Sequence, residues 1–198
     1  MSCESFIYTQ KNALSPELCN EFIDTFNKSE SDIKYPGITS RGVDKDLKSS
    51  TDITFDPSFK NHPQWEGLLK KLMPILKTHI KNYSNKYFTI LDNTTDCTYN
   101  LMPDLKITNT FNMQHYKPGE GFYSWHCERT HPNNNHRILT WMFFLNDVTD
   151  GGGTQFYYQN HTESAEQGKI VIFSSEWMHA HRGEVSKTQN KYILTGWA

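Results

Sequence analysis

The sequence predicts a mainly β fold, an antiparallel sandwich or barrel backed by N-terminal helices. Three observations carry this expectation. Apolar residues recur at helical spacing in two segments before residue 87; from about residue 87 the period shortens to strand alternation; and turn clusters such as "KPGEG", "NDVTDGGG", "EQG" and "SKTQN" separate the later apolar runs. Runs of short strands after helices pack as sheet layers with the helices outside. The 198 residues are read as one domain, 1–198, with residues 1–100 a helical elaboration carrying short strands and 105–198 the β core.

In "LSPELCNEFIDTF", Ser15 can cap a helix and Pro16 fits its first position. Leu18, Cys19, Phe22, Ile23 and Phe26 then share one helical face. Residues 29–50 are polar and turn-rich, a loop. "TDITF" (51–55) reads as a short strand. In "HPQWEGLLKKLMPILKTHIKNYSNKY" the residues Trp65, Leu68, Leu69, Leu72, Leu76 and Ile80 point inward along a second helix, which Pro74 should kink. Strands are expected over 106–116, 137–147, 151–158, 168–173 and 191–197. In the first of these, Ile107, Phe111, Met113 and His115 alternate with Thr108, Thr110, Asn112, Gln114 and Tyr116.

Composition excludes several classes. A formal charge of −2 without a basic, aromatic-interleaved stretch argues against gripping nucleic-acid phosphates. The cysteines (Cys3, Cys19, Cys97, Cys127) form no CxxC pair, which disfavours a zinc ribbon or redox dithiol. The N-terminal residues carry neither a basic nor an apolar signal region, and no apolar run is long enough for a membrane span. The expectation is a soluble cytoplasmic protein with no nucleic-acid or membrane partner; its oligomeric state is not readable.

The chemistry is in "YSWHCERTH". Two residues apart on extended chain, His126 and Glu128 project to the same side. An imidazole and a carboxylate facing one point supply two metal-coordination positions. A third ligand is available in "EWMHAHRGEV" as His179 or His181. Such a 2-His-1-carboxylate set occupies one face of a six-coordinate iron and leaves the opposite face open. A His-x-Glu triplet alone is weak, because most such triplets are surface turns. Lys191 adds to it by opening the otherwise apolar strand "KYILTGW", where a buried ammonium needs an anionic partner. Lys191, Ile193, Thr195 and Trp197 share one strand face, suited to a small dicarboxylate; a solvated lysine at a strand end is the alternative.

The order of these parts resembles the prolyl 4-hydroxylase-like branch of the Fe(II)/2-oxoglutarate dioxygenases. "HYKPGEGFYSWHCE", "RILTWMFFLND", "GGGTQF", "GKIVIF", "HRGEV" and "KYILTGW" follow one another as the family's motifs do, over residues 106–198. The resemblance implies a double-stranded β-helix (a jelly-roll, cupin-like core), with Fe(II), 2-oxoglutarate and O2 as cofactor and co-substrates, and hydroxylation of an unactivated C–H with release of succinate and CO2. A prolyl residue of a peptide or protein is the implied substrate, and a free amino acid or small metabolite the alternative. By position, His126, Glu128 and His181 correspond to the iron ligands, with His179 the alternative distal ligand. Lys191 corresponds to the clamp on the far carboxylate of 2-oxoglutarate, with Thr195 beside it, and Tyr116 to a tyrosine lining that pocket. Two residues depart from the pattern: Glu128 stands where aspartate is usual, and Phe144 where some members have a tyrosine.

Trp125 and Arg137 are possible substrate-facing groups, though a core aromatic and a structural ion pair are the plainer roles. His131 and His136 flank a polar loop. Gly151, Gly152 and Gly153 fit a tight hairpin better than a phosphate loop, because no Lys-Ser pair or helix start follows. Cys127 reads as a packed free thiol. Two rival functions keep part of the pattern. A cupin-like module that only binds a metal or small molecule has no need of Lys191, and a zinc hydrolase with the same ligands lacks an evident general base.

Overall fold

The computed structural model describes residues 4–56, 62–92, 94–102 and 104–198; Cys3 lies outside them. Ser15 caps the first helix, α1 (Pro16–Lys28), by accepting the Leu18 N–H at 3.2 Å. One face of α1 buries Leu18, Cys19, Phe22 and Phe26, with Ile23 half-buried beside them. The second helix, α2 (Pro63–Tyr87), runs on through Pro74 and buries Trp65, Leu68, Leu72, Leu76 and Ile80, with Tyr83 extending the same stripe. Both helices lie against one face of the main sheet, and their apolar stripes merge with it into a single core.

That sheet has seven antiparallel strands. β1 (Tyr8–Gln10), β2 (Tyr35–Pro36) and β3 (Thr51–Phe55) come from the N-terminal half. β6 (Phe111–Tyr116), β7 (Leu139–Phe144), β10 (Ile170–Ser174) and β12 (Lys191–Trp197) come from the C-terminal half, and the spatial order is β1-β10-β7-β12-β6-β3-β2. A smaller sheet, ordered β11-β8-β9, is made of β8 (Thr154–Phe156), β9 (His161–Glu163) and β11 (His181–Gly183). The two sheets enclose a second apolar cluster that includes Met142, Phe144, Phe156, Phe173 and Ile193. This is the double-stranded β-helix expected, backed by two helices.

Strand alternation sorts the side chains between these layers. On β12, Tyr192 and Leu194 enter the helix-side core, while Lys191, Ile193, Thr195 and Trp197 face the cavity. On β6, Phe111 and Met113 face the helices and Asn112, Gln114 and Tyr116 face the cavity. The polar face anticipated for β6 is therefore a pocket wall. Ile107, expected within this strand, lies before it and packs on the core from irregular chain.

Several boundaries differ from expectation. The strand expected over 151–158 shrinks to Thr154–Phe156 because Gly151 (φ 128°) and Gly152 (φ 71°) turn the chain. A Cβ on Gly151 would come 2.4 Å from the Val185 carbonyl oxygen, so the glycine is sterically required. β1, β2, β9, β11 and the hairpin of β4 (Thr89–Asp92) with β5 (Cys97–Asn100) were not anticipated. Each has four residues or fewer, and β5 is exposed throughout, so no apolar alternation marks it. Among the described residues no helix is long and apolar enough to cross a membrane, and Cys19, Cys97 and Cys127 are free thiols.

Candidate metal centre and co-substrate pocket

His126 and His181 are brought together by the backbone before their side chains meet. The two residues exchange both main-chain hydrogen bonds, at 3.0 and 2.9 Å, in an isolated antiparallel bridge. The Glu128 N–H donates to the Ser175 carbonyl at 3.1 Å, fixing the next inward-pointing residue. Ligand atoms of His126, Glu128 and His181 then lie within 4.8 Å of one another.

The imidazoles are oriented through their other nitrogen. His126 Nδ1 lies 2.9 Å from the Ser124 carbonyl oxygen, and His181 Nδ1 lies 2.9 Å from that of His179. A carbonyl can only accept, so each Nδ1 carries the proton and each Nε2 presents its lone pair. Those Nε2 atoms stand 3.6 and 3.7 Å from one oxygen of Glu128, Oε1. The other oxygen, Oε2, accepts from the Trp197 indole at 3.1 Å and from Arg137 Nη1 at 3.4 Å, and the Arg137 guanidinium lies 3.5 Å over the Trp197 ring. Burial pushes the Glu128 carboxyl up, but His126, His181 and Arg137 outweigh it and hold it at about 2. Burial, then the neighbouring His126, pushes His181 down to about 3. At neutral pH the set is a carboxylate beside a neutral imidazole, the protonation states a divalent metal requires.

His179 faces away from this cluster. Its Nε2 lies 2.9 Å from the Ser5 carbonyl oxygen, and its ring packs near Phe156 and Phe173. His131 and His136 are exposed, and Cys127 is half-buried with its thiol pushed up by burial.

The triad opens on a cavity of about 1100 Å³. Within it stands Lys191, 6 % exposed. Tyr116 is its cross-strand partner, and the Lys191 ammonium sits 5.5 Å from the centre of that ring and 5.4 Å from that of Phe144. Its one hydrogen bond among the described residues is a long one, 3.5 Å, to the Gly153 carbonyl. No carboxylate of the described residues lies within ion-pair distance. Burial pulls Lys191 down to about 8, against the pull of Glu184. Thr195 lines the same cavity while its hydroxyl donates to the Trp141 carbonyl at 3.1 Å. Trp125 is at the rim, with the Arg182 guanidinium 4.5 Å from its ring. Arg137 also lines the cavity, turned toward Glu128.

One part of the site was missed from the sequence. Asp52 is buried on β3, where it pairs with Lys48 at 2.7 Å and accepts from Ser50 at 2.7 Å and Gln114 at 3.2 Å. Gln114 in turn accepts from the Tyr116 hydroxyl at 2.7 Å. The available signal was an acidic residue on the strand "TDITF", preceded by the polar, turn-rich loop 29–50.

Residues 111–198 match the family model of the 2OG-Fe(II) oxygenase superfamily. These residues form a 2OG-Fe(II) oxygenase domain. Fe(II), 2-oxoglutarate and O2 are accordingly the cofactor and co-substrates of this oxygenase. No curated protein sequence matches the chain. Its fold is that of several solved prolyl hydroxylases. A Pseudomonas putida prolyl-4-hydroxylase superposes with TM-score 0.66 at 16 % identity, covering 96 % of this chain and 90 % of that one. The viral collagen prolyl hydroxylase of Paramecium Bursaria Chlorella virus-1, in its 2OG complex, gives 0.65 at 15 %, covering 97 % and 94 %. A Trichoplax adhaerens prolyl hydroxylase in complex with a hypoxia inducible factor oxygen degradation domain peptide fragment gives 0.72 at 15 %, covering 98 % and 83 %. The donor set of the oxygenase fits iron: two Nε2 lone pairs and one carboxylate oxygen converge, and every other polar atom of the three side chains already has a partner.

Proposed function

We propose that this oxygenase hydroxylates a prolyl residue of a peptide or protein and converts 2-oxoglutarate to succinate and CO2 in the same cycle. The observation that carries the reading is a buried ammonium, Lys191, with no carboxylate partner among the described residues, facing the cavity onto which the His126–Glu128–His181 cluster opens. In this reading His126, Glu128 and His181 hold Fe(II). When bound, the iron activates O2 at the expense of 2-oxoglutarate and supplies the oxidant for the C–H.

The chain's own groups supply binding and orientation. Lys191 pairs with the far carboxylate of 2-oxoglutarate in a low-dielectric pocket, where a charge-assisted bond is short and directional. Tyr116, held by Gln114, and Phe144 wall that end and keep water out. Trp197 and Arg137 hold Glu128 Oε2 so that Oε1 alone faces the imidazoles. A cavity of about 1100 Å³ has room beyond a five-carbon diacid for part of an extended chain, which favours a peptide over a free amino acid. The fold likeness to three prolyl hydroxylases, one with a peptide bound, supports the same choice.

The test is oxygen-free reconstitution with Fe(II), followed by air and mass spectrometry of succinate and product over a panel of proline-rich peptides. Succinate formed in proportion to a +16 Da product on proline is the expected result. Equal turnover with Zn(II), or oxidation confined to a free amino acid, would overturn the prolyl reading.

A further inference from the structure

A row of exposed aromatic side chains leads away from the cavity rim. Trp125 lines the cavity beside His126. Its ring meets Tyr157 at 5.2 Å, Tyr157 meets Tyr158 at 5.1 Å, and Tyr158 meets Trp177 at 5.7 Å. Trp125 is 39 % exposed, and the other three are 60, 61 and 62 % exposed. Four large aromatics in unbroken contact on a surface are not a scatter of single apolar residues. Their frame is fixed: the Tyr157 N–H donates to the Ala180 carbonyl at 2.9 Å, and Gln159 donates to the Met178 carbonyl at 3.0 Å. These bonds tie the turn after β8 to the 3-10 helix Trp177–His179.

Geometry and chemistry select the occupant. Successive rings meet at 79°, 85° and 86°, so the row is a series of ridges and clefts and not one coplanar platform. The two phenol hydroxyls and two indole N–H groups have no hydrogen-bond partner among the described residues. A proline-rich segment is the complement. Its polyproline II backbone makes no internal hydrogen bonds, so its carbonyls are free to accept, and proline has no N–H needing an acceptor in return. Its pyrrolidine rings fit clefts between aromatic side chains. Ring-to-ring steps of 5.1–5.7 Å give room for about five residues at ~3.1 Å each.

We propose that the Trp125–Tyr157–Tyr158–Trp177 row is a docking track for a proline-rich polyproline II segment flanking the residue that enters the cavity. This rests on the reading of the substrate as a peptide, and adds that recognition extends well outside the reaction site.

The test uses the full chain with decaproline and triproline as probes, comparing wild type with Tyr158→Ala/Trp177→Ala by calorimetry. The expected result is a decaproline Kd raised by about tenfold or more, as for loss of two exposed aromatic anchors, with the triproline Kd changed less than twofold. Tyr158→Phe/Trp177→Phe, which keeps an aromatic ring at each position but removes both donors and shrinks the indole, should give a decaproline Kd between those of wild type and the alanine variant; it serves alone if the alanine variant does not fold. An unchanged decaproline Kd overturns the track, as does failure of wild type to bind decaproline, or equal row-dependent binding of cellohexaose. Row-dependent binding without hydroxylation leaves the track standing and sinks the prolyl hydroxylase reading. Hydroxylation of decaproline with a KM unchanged in the variants does the reverse.

Discussion

Glu128 carries one methylene more than the aspartate usual at its position in the family, and its surroundings account for the extra length. Oε2 is anchored by Trp197 and Arg137, which leaves Oε1 near-equidistant from the two Nε2 atoms. A neutral amide cannot offset a metal's charge, so Glu128→Gln should lose most Fe(II) affinity while Glu128→Asp keeps part of it; oxygen-free titration with Co(II), followed by its visible spectrum, measures both. The distal position has its own check. His181→Ala should abolish that spectrum and His179→Ala should leave it, because His179 Nε2 is turned to the Ser5 carbonyl; the opposite result would shift the ligand by two residues. Lys191 gives a pH signature. Its free ammonium titrates near 8, and a bound carboxylate raises that value. Association therefore takes up a proton above about pH 8, and the 2-oxoglutarate Kd of Mn(II)-loaded protein should be flat below that pH and rise above it. Lys191→Ala should weaken binding by about 2–4 kcal/mol and remove the pH dependence. A wild-type Kd flat to pH 9.5 would show that this ammonium does not meet the co-substrate.

At the scale of elements, the glycine run before β8 makes the sharpest structural demand. Gly151 holds φ 128° with the Val185 carbonyl oxygen where a Cβ would sit. Gly151→Ala should cost on the order of 1–3 kcal/mol, read as a lower urea midpoint, and should also loosen the Gly153 carbonyl that Lys191 reaches. A midpoint equal to wild type would mean that the turn relaxes freely. A chain reversal here was legible because three glycines after "NDVTD" leave few other conformations, but the tight hairpin expected is not formed: β7 and β8 belong to different sheets, and the glycines turn the chain from one to the other. β12 was legible for a different reason: period-2 alternation placed Lys191, Ile193, Thr195 and Trp197 on one face, and that face lines the cavity. What escaped were strands too short to show a period. β11 has three residues, and its role, holding His181 against His126, rests on main-chain bonds that no side-chain pattern encodes. Trp197 as a partner of Glu128 escaped likewise, since contact across 69 residues depends on how the last strand closes the barrel.

Over the whole molecule, the N-terminal half does more than back the sheet. β3 pairs along its full length with β6, and the polar, turn-rich loop before it delivers Lys48 to the cavity wall and Ser50 to Asp52. The Lys48–Asp52 pair is buried on both sides. A buried pair gives little net stability against an apolar replacement, but breaking one is costly because the remaining charge loses both water and partner. Asp52→Ala should therefore lower stability by about 3–5 kcal/mol by urea unfolding. It also removes the acceptor that holds Gln114, and through it the Tyr116 hydroxyl beside Lys191. The double variant Lys48→Met/Asp52→Leu should recover most of the lost stability, since no uncompensated charge is left inside. Co-substrate affinity should stay impaired in that variant, because Gln114 is no longer held. Recovery of both together would show that the network only fills space. Recovery of stability alone would show that the N-terminal half sets the geometry in which the C-terminal half binds 2-oxoglutarate.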